Sequence, residues 1–519
     1  MTDRSAPWWE QRWAVAALAL LAFLPLLWPD VPPLVDLPGH MGRYRVQLEI
    51  DRSPALQLFY DFEWALIGNL GIDLLVIPLS KLFGLELAVK LIILTIPPMT
   101  VGGFLWVARE VHGRVPPTAF FAVPLAYNFP FSFGFVNFAL SMGFAFLAFA
   151  FWLRLARLGR LKLRAALFVP ISLLIWVTHT FGWGTLGVMA FSAELVRQHD
   201  RGRGYIASAF HSGIHCIALA PPVLLMLLWR SGQVGGETGD WFNWQAKYNW
   251  FIMALRDRWE WFDLATLSIV VALIPLAIVS RRMGLSRNLA ASALFLTLVY
   301  LLLPRIVFGS AYADMRLVPY LIAVAVIAIR FKEGTSRTFL RNIAVAGLAF
   351  VVVRMGATTV SYWMYDRSYD RELAALDHVP ENARLISFVG TTCGRRWAMS
   401  RLEHLPALAL ARRRAFSNDQ WSMAGAQLLT ANYPLAPGYR GDPSQMVVQR
   451  RCRGEFWRPI EVALRGFPRQ AFDYVWVIDP PPYDPQAAAG LQPLWRSGTS
   501  VLYRVVDRTQ PQAPPNPSR

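Results

Sequence analysis

The chain has 519 residues, of which 55% are apolar and only 16% charged, with a mean hydropathy of +0.34 and a formal net charge of +17. So small a charged fraction at this length excludes an ordinary soluble globular protein and makes a polytopic membrane protein the expected class. The basic excess lies mostly in short loops between apolar runs, so nucleic acid is not needed to explain it and is not expected as a partner.

Residues 1–30 hold Asp3 and Glu10 beside Arg4 and Arg12, and no small-x-small cleavage site follows Trp28. The first apolar run is therefore read as a retained anchor and not a cleaved leader. Crossing roughly 30 Å of hydrocarbon takes about 20 apolar residues. On that criterion spans are expected at 13–28, 87–108, 118–130, 136–154, 165–180, 183–197, 206–229, 263–280, 288–303, 316–330 and 339–360, about eleven in all. The run at 64–83 is ambiguous, because it contains Asn69, Asp73 and Pro78.

Short loops rich in Lys and Arg mark the cytoplasmic side. The loops at 109–117, 154–164, 197–203, 281–287 and 330–341 hold 17 basic residues against three acids, Glu110, Asp200 and Glu333. All five fall on one side only if 64–83 does not cross. Residues 29–86 are then one long first extracytoplasmic loop, with 64–83 lying in it as an interfacial or re-entrant helix. The N-terminus is expected in the cytoplasm and everything after residue 360 outside it, which for a bacterial inner membrane is the periplasm.

The first outer loop opens with PLVDLPGHMGRYRV, residues 33–46. Asp36 stands near the headgroups and serves equally as a helix N-cap before Leu37-Pro38 or as a catalytic base. A helix N-terminus should lower its pKa. His40 follows one turn later and can orient the carboxylate or touch substrate. His179, near the outer end of its span, is an intramembrane polar group close to the same face. His211 and His215 share a helix face, but no third metal ligand is spaced to help them.

Further along, the segment 237–262 carries five tryptophans, with Trp241 among them. An interfacial aromatic belt is the first reading and a sugar-stacking wall the second. Arg305 and Arg316 lie outside against the positive-inside bias, so an outer anion such as a lipid phosphate is the expected partner. An Asp314/Arg316 ion pair is the competing account.

Residues 361–508 have soluble character, with strand-like runs at 383–389, 474–478 and 500–506 and a hairpin turning at Ser497 and Gly498. They are read as a small extracytoplasmic α/β domain following a membrane domain at 1–360, and 509–519 as a disordered tail. Cys393 and Cys452 can pair in an oxidising compartment.

A first span followed by a long outer loop with an early acid, a many-span bundle and an outward C-terminal domain resembles the GT-C superfamily of polytopic glycosyltransferases. The motif carrying this is VDLPGHMGRY; WALIGNLGIDLLVIPL, FGFVNF at 133–138 and ADMRLVPYL resemble bacterial GT-C-like membrane proteins. The resemblance implies a sugar donor carried on polyprenyl phosphate, an inverting reaction at the outer face, and Asp36 activating the acceptor or holding a divalent cation. Leu37 follows Asp36 where several branches place a second acid, so a metal-free base is the simpler expectation. His40, His179, Trp241, Arg305 and Arg316 are then the expected substrate contacts. A non-catalytic assembly or scaffold protein, and behind it a transporter, are the competing classes.

Overall fold

The computed structural model describes residues 6–230, 237–307, 309–394, 396–422, 427–453 and 456–510. The proposed tail at 509–519 falls almost wholly outside the described residues.

Helices form where apolar runs were expected, but their lengths differ. Leu85–His112, Val136–Arg157, Leu161–Thr178, Glu260–Val279 and Arg337–His378 are long and apolar enough to cross a membrane, and Tyr205–Leu219 with Pro221–Leu227, bent by 68°, makes a sixth if taken as one span. The expected span at 118–130 is instead an eleven-residue 3-10 helix, Pro117–Tyr127, with prolines at its start and at Pro124. Each proline removes a backbone donor, which favours the tighter helix over a regular one. Gly71–Phe83, inside the ambiguous run, is 13 residues long, about 20 Å at the α-helical rise and short of a bilayer core.

The five basic loops gather at one end. His112, Arg114, Arg287 and Arg330 line one recess with Glu10 and Asp200, Met283–Leu285 pairs antiparallel with Ile329–Phe331, and Arg157 reaches Glu110 at 2.8 Å.

The opposite end holds a six-stranded mixed sheet, against whose core the first loop packs. Leu385–Gly390 lies at its centre, parallel to Met446–Val448 on one side and Tyr474–Ile478 on the other. Ser500–Val505 and Leu491–Ser497 complete the far edge as an antiparallel hairpin, in which Gly498 has φ +57° at the turn. The central strands are buried on both faces, as continuous apolar strands require.

No break separates membrane and C-terminal parts at 361, because one helix runs from Arg337 to Leu373. Tyr60–Phe62 of the first loop pairs with Leu429–Ala431, and Val46, Leu56 and Phe59 share a core with Ile386 and Val475. Leu37–Glu49 is held from both sides. Arg43 is buried against Asp73, which also accepts from Asn137 at 3.0 Å, while Arg45 donates to the Ala411 carbonyl at 2.8 Å. Removing one partner of such a buried pair costs about 3–5 kcal/mol, so the helix carrying His40 is rigidly placed.

Cys393 and Cys452 form a disulfide with α-carbons 5.5 Å apart, closing a 59-residue loop. On the chain-entropy account that closure contributes about 4 kcal/mol. Cys393→Ser is expected to lower the melting temperature of the detergent-solubilised chain, and dithiothreitol to lower the wild type to the same value; equal melting of all samples would remove the disulfide from the account.

Candidate functional site

Asp36 is positioned by a close approach of two backbones. Its amide donates to the Phe133 carbonyl at 2.9 Å, and that of Val35 to Ser132 at 3.2 Å. The short helix Phe129–Phe133, capped by the Asn128 side chain, ends at Gly134 with φ +107°. A Cβ on Gly134 would lie 2.7 Å from the Asp36 nitrogen, so only glycine satisfies both the dihedral and the space. Gly134→Ala is expected to cost about 2–4 kcal/mol of stability, seen as a lower melting temperature, since positive φ and a backbone clash combine.

Asp36 occupies the N-cap position of Leu37–Glu49, yet its side chain makes no capping hydrogen bond. The carboxylate faces a cavity of about 430 Å³ instead. Burial pushes its pKa up to about 7; His404 and Arg316 pull it back, and Glu403 and Asp442 push it further up. The expected lowering by the helix N-terminus is thus reversed, because desolvation of a buried carboxylate outweighs a helix-end field that it does not cap.

Arg316 lines the same cavity. Its guanidinium lies 4.5 Å from the Phe135 ring, 5.4 Å from Phe181 and 6.0 Å from Phe138. It donates to the Ser310 hydroxyl at a long 3.4 Å, and among the described residues its Nε is buried without a partner and no carboxylate lies within 4 Å of it. Asp314 does not supply that partner; Lys247 takes it in a buried pair at 3.2 Å. An aromatic cage can stack a guanidinium face but cannot satisfy its N–H groups, which leaves the fork open to an anion.

His40 and His179 complete the lining. The His40 ring stands edge-on to Trp421 at 5.3 Å, and burial, with Arg43 and His404 nearby, holds its pKa well below the usual value. His40 is therefore neutral. Gly39 has a Cβ position only 2.5 Å from the Trp421 ring, so glycine at 39 is what admits that indole. His179 joins two helices and accepts from the Phe181 amide at 3.1 Å.

Two expected contacts are placed elsewhere. Arg305 is bonded to Asp240 and is not among the cavity-lining residues. Trp241 follows Asp240 in a segment pinned by the Gly239–Ile306 bridge, and its side chain is 54% exposed. Trp241 packs near Phe242 and is not among the residues lining the cavity, so it forms no wall of it. Among the described residues no group of three or more His, Cys, Asp or Glu is placed to hold a metal ion.

A further wall of the cavity comes from a segment that carries no sequence signal. His404 Nε2 lies 3.9 Å from Asp36 Oδ1, its ring 4.9 Å from Trp421, and Glu403 and Asp442 line the cavity beside it. Burial alone would lower the His404 pKa, but Asp442, Glu403, Asp36 and Asp419 outweigh it and raise it. His404→Gln removes a cation from Asp36, so the Asp36 carboxyl should titrate at higher pH. Infrared difference spectra against Asp36→Asn check this; an unmoved titration would show that His404 exerts no field there.

No family model matches the chain, and no curated protein does. Among solved structures it is similar to ArnT from Cupriavidus metallidurans bound to undecaprenyl phosphate, at 12% identity and a TM-score of 0.46 over 95% of this chain and 97% of that one.

Proposed function

We propose that this chain is an inverting glycosyltransferase that moves a sugar from a polyprenyl-phosphate donor to an acceptor hydroxyl at the outer face of the membrane. One observation carries the reading: the buried Asp36 carboxyl and the Arg316 guanidinium, which has no carboxylate within 4 Å among the described residues, face a single cavity. Its volume of about 430 Å³ lies in the range of small-molecule sites, roughly 300–1,000 Å³.

In the reaction Asp36 accepts the proton of the acceptor hydroxyl, and the oxygen attacks the anomeric carbon from the face opposite the phosphate. The bond from that carbon to the phosphate oxygen breaks, its electron pair leaves with the polyprenyl phosphate, and Arg316 meets the added negative charge. A base with a pKa near 7 suits proton transfer at neutral pH better than an ordinary carboxylate, which is too weakly basic. Phe133, Phe135, Phe138, Phe181 and Met226 line the apolar part of the cavity and suit the first isoprene units. His40 and the Nε2 of His179, whose Nδ1 takes the Phe181 amide, can hydrogen-bond sugar hydroxyls.

The gathered basic loops support a cytoplasmic position for their own end, which on this reading leaves the cavity and the disulfide outside, with residues 361–508 as the outer domain. A scaffold would need neither an open guanidinium nor a raised carboxylate in one hollow.

Native mass spectrometry of the full chain with decaprenyl phosphate tests the reading. Binding that decaprenol does not match is expected; equal retention of the two lipids would mean that the site does not read phosphate.

A further inference from the structure

A second hollow adjoins the cavity. About 520 Å³ is lined by Asp61, Asn432, Arg440, Asp442, Phe456 and Arg458, among others, and Asp442 belongs to both hollows. One wall is the Tyr60–Phe62 strand paired with Leu429–Ala431, a two-stranded sheet that ties the first loop to the C-terminal part.

The direction of attack selects this side. Displacement with inversion brings the acceptor oxygen in opposite the departing phosphate, and Arg316 marks the phosphate end. Arg316 and Asp36 line the first cavity only, whereas Asp442 lines both hollows, with Glu403 and His404 beside it in the first. The path from Arg316 through Asp36 therefore continues to Asp442 and into the second hollow.

The lining indicates the chemistry of the occupant. Asp61 and Asp442 balance Arg440 and Arg458, so no net charge is favoured. Asn432, Ser422 and Thr430 offer amide and hydroxyl groups. Arg458 is held over the Tyr439 ring at 4.4 Å and donates to the Gly438 carbonyl at 2.9 Å, which fixes that wall. Phe456, at 94%, is the most exposed large apolar side chain among the described residues. A flat aromatic face beside dispersed polar groups matches a sugar ring, which has apolar C–H faces and hydroxyl edges.

We infer that this second hollow is the acceptor subsite and that it takes a neutral saccharide, handed to Asp36 past Asp442. The inference rests on the glycosyltransferase reading and adds the identity and entry side of its second substrate.

The test expresses three forms of the full chain in cells lacking the native one: wild type, Asp36→Asn, and the double variant Phe456→Ala/Arg440→Ala. Both altered side chains of the last are exposed, so membrane levels should match wild type. Lipid extracts are expected to show polyprenyl-linked sugar accumulating in both variants, while decaprenyl phosphate affinity of the double variant stays within about twofold of wild type, because only acceptor use is lost. If Asp36→Asn accumulates the donor and the double variant does not, the acceptor subsite is refuted and the glycosyltransferase reading stands. If neither accumulates it, that reading itself fails. A benzophenone side chain placed at position 456 and irradiated in cells is expected to capture periodate-sensitive glycan; capture of lipid or protein alone overturns the saccharide assignment.

Discussion

Asp36→Asn is expected to reduce sugar transfer by about 10²- to 10⁴-fold, the usual contribution of a positioned general base. The change keeps the shape of the side chain and leaves both backbone bonds intact, from Asp36 to Phe133 and from His40 to Asp36. The sign of the stability effect separates this from a folding defect. The folded-state pKa of Asp36, about 7, lies above the ordinary unfolded value near 4. A raised carboxyl favours the folded state while it is protonated, and that contribution is lost as pH rises through 7. At pH 8 the native carboxylate is therefore a buried charge that asparagine relieves, and the variant should melt at the same temperature as wild type or higher. In wild type, transfer should rise with pH through about 7 as the base form fills. A variant that is both inactive and strongly destabilised at pH 8 would mean that Asp36 supports the fold rather than the reaction.

Arg316→Ala is expected to have the second largest effect, about 100-fold in transfer, since a fork meeting a phosphate makes charge-assisted bonds and also stabilises the leaving group. Arg316→Lys keeps the charge but loses the planar stack on Phe135 and Phe181, so an intermediate rate is the expected result. Decaprenyl phosphate titrations check which step suffers. Weakened binding in Arg316→Ala matches a phosphate contact made already with bound donor, and unchanged binding with lost turnover matches one made only in the transition state. Unchanged binding together with unchanged turnover would remove Arg316 from the site.

Much of this was legible along the chain because periodicity and charge report local environment. The apolar runs located the helices, and the alternation of basic loops anticipated the end at which Arg114, Arg287 and Arg330 meet. VDLPGH and ADMRLVPY brought Asp36, His40 and Arg316 to notice, and all three line one cavity with His179.

What stayed hidden was long-range. His404, Glu403 and Asp442 lie some four hundred residues beyond Asp36, in stretches with no motif; long-range contacts such as Arg45 to the Ala411 carbonyl, Gln420 to the Gly39 carbonyl and the pairing of Tyr60–Phe62 with Leu429–Ala431 bring them to it. Arg305 and Arg316 look alike in sequence, and what separates them is the distant Asp240, which occupies the first and leaves the second open. The carboxyl pKa ran opposite to the expectation from helix position because burial, which no spacing reveals, dominates it. One signal was available and unused: FGFVNF contains a glycine before an aromatic run, and Gly134 is the residue that lets Asp36 approach.

The most direct measurement is mass spectrometry of polyprenyl-linked lipids from cells whose only copy of this chain is Asp36→Asn, beside cells carrying the wild type. The account predicts one polyprenyl-phosphate sugar that builds up in the variant and is consumed in the wild type. Identical lipid profiles at equal protein levels would contradict it.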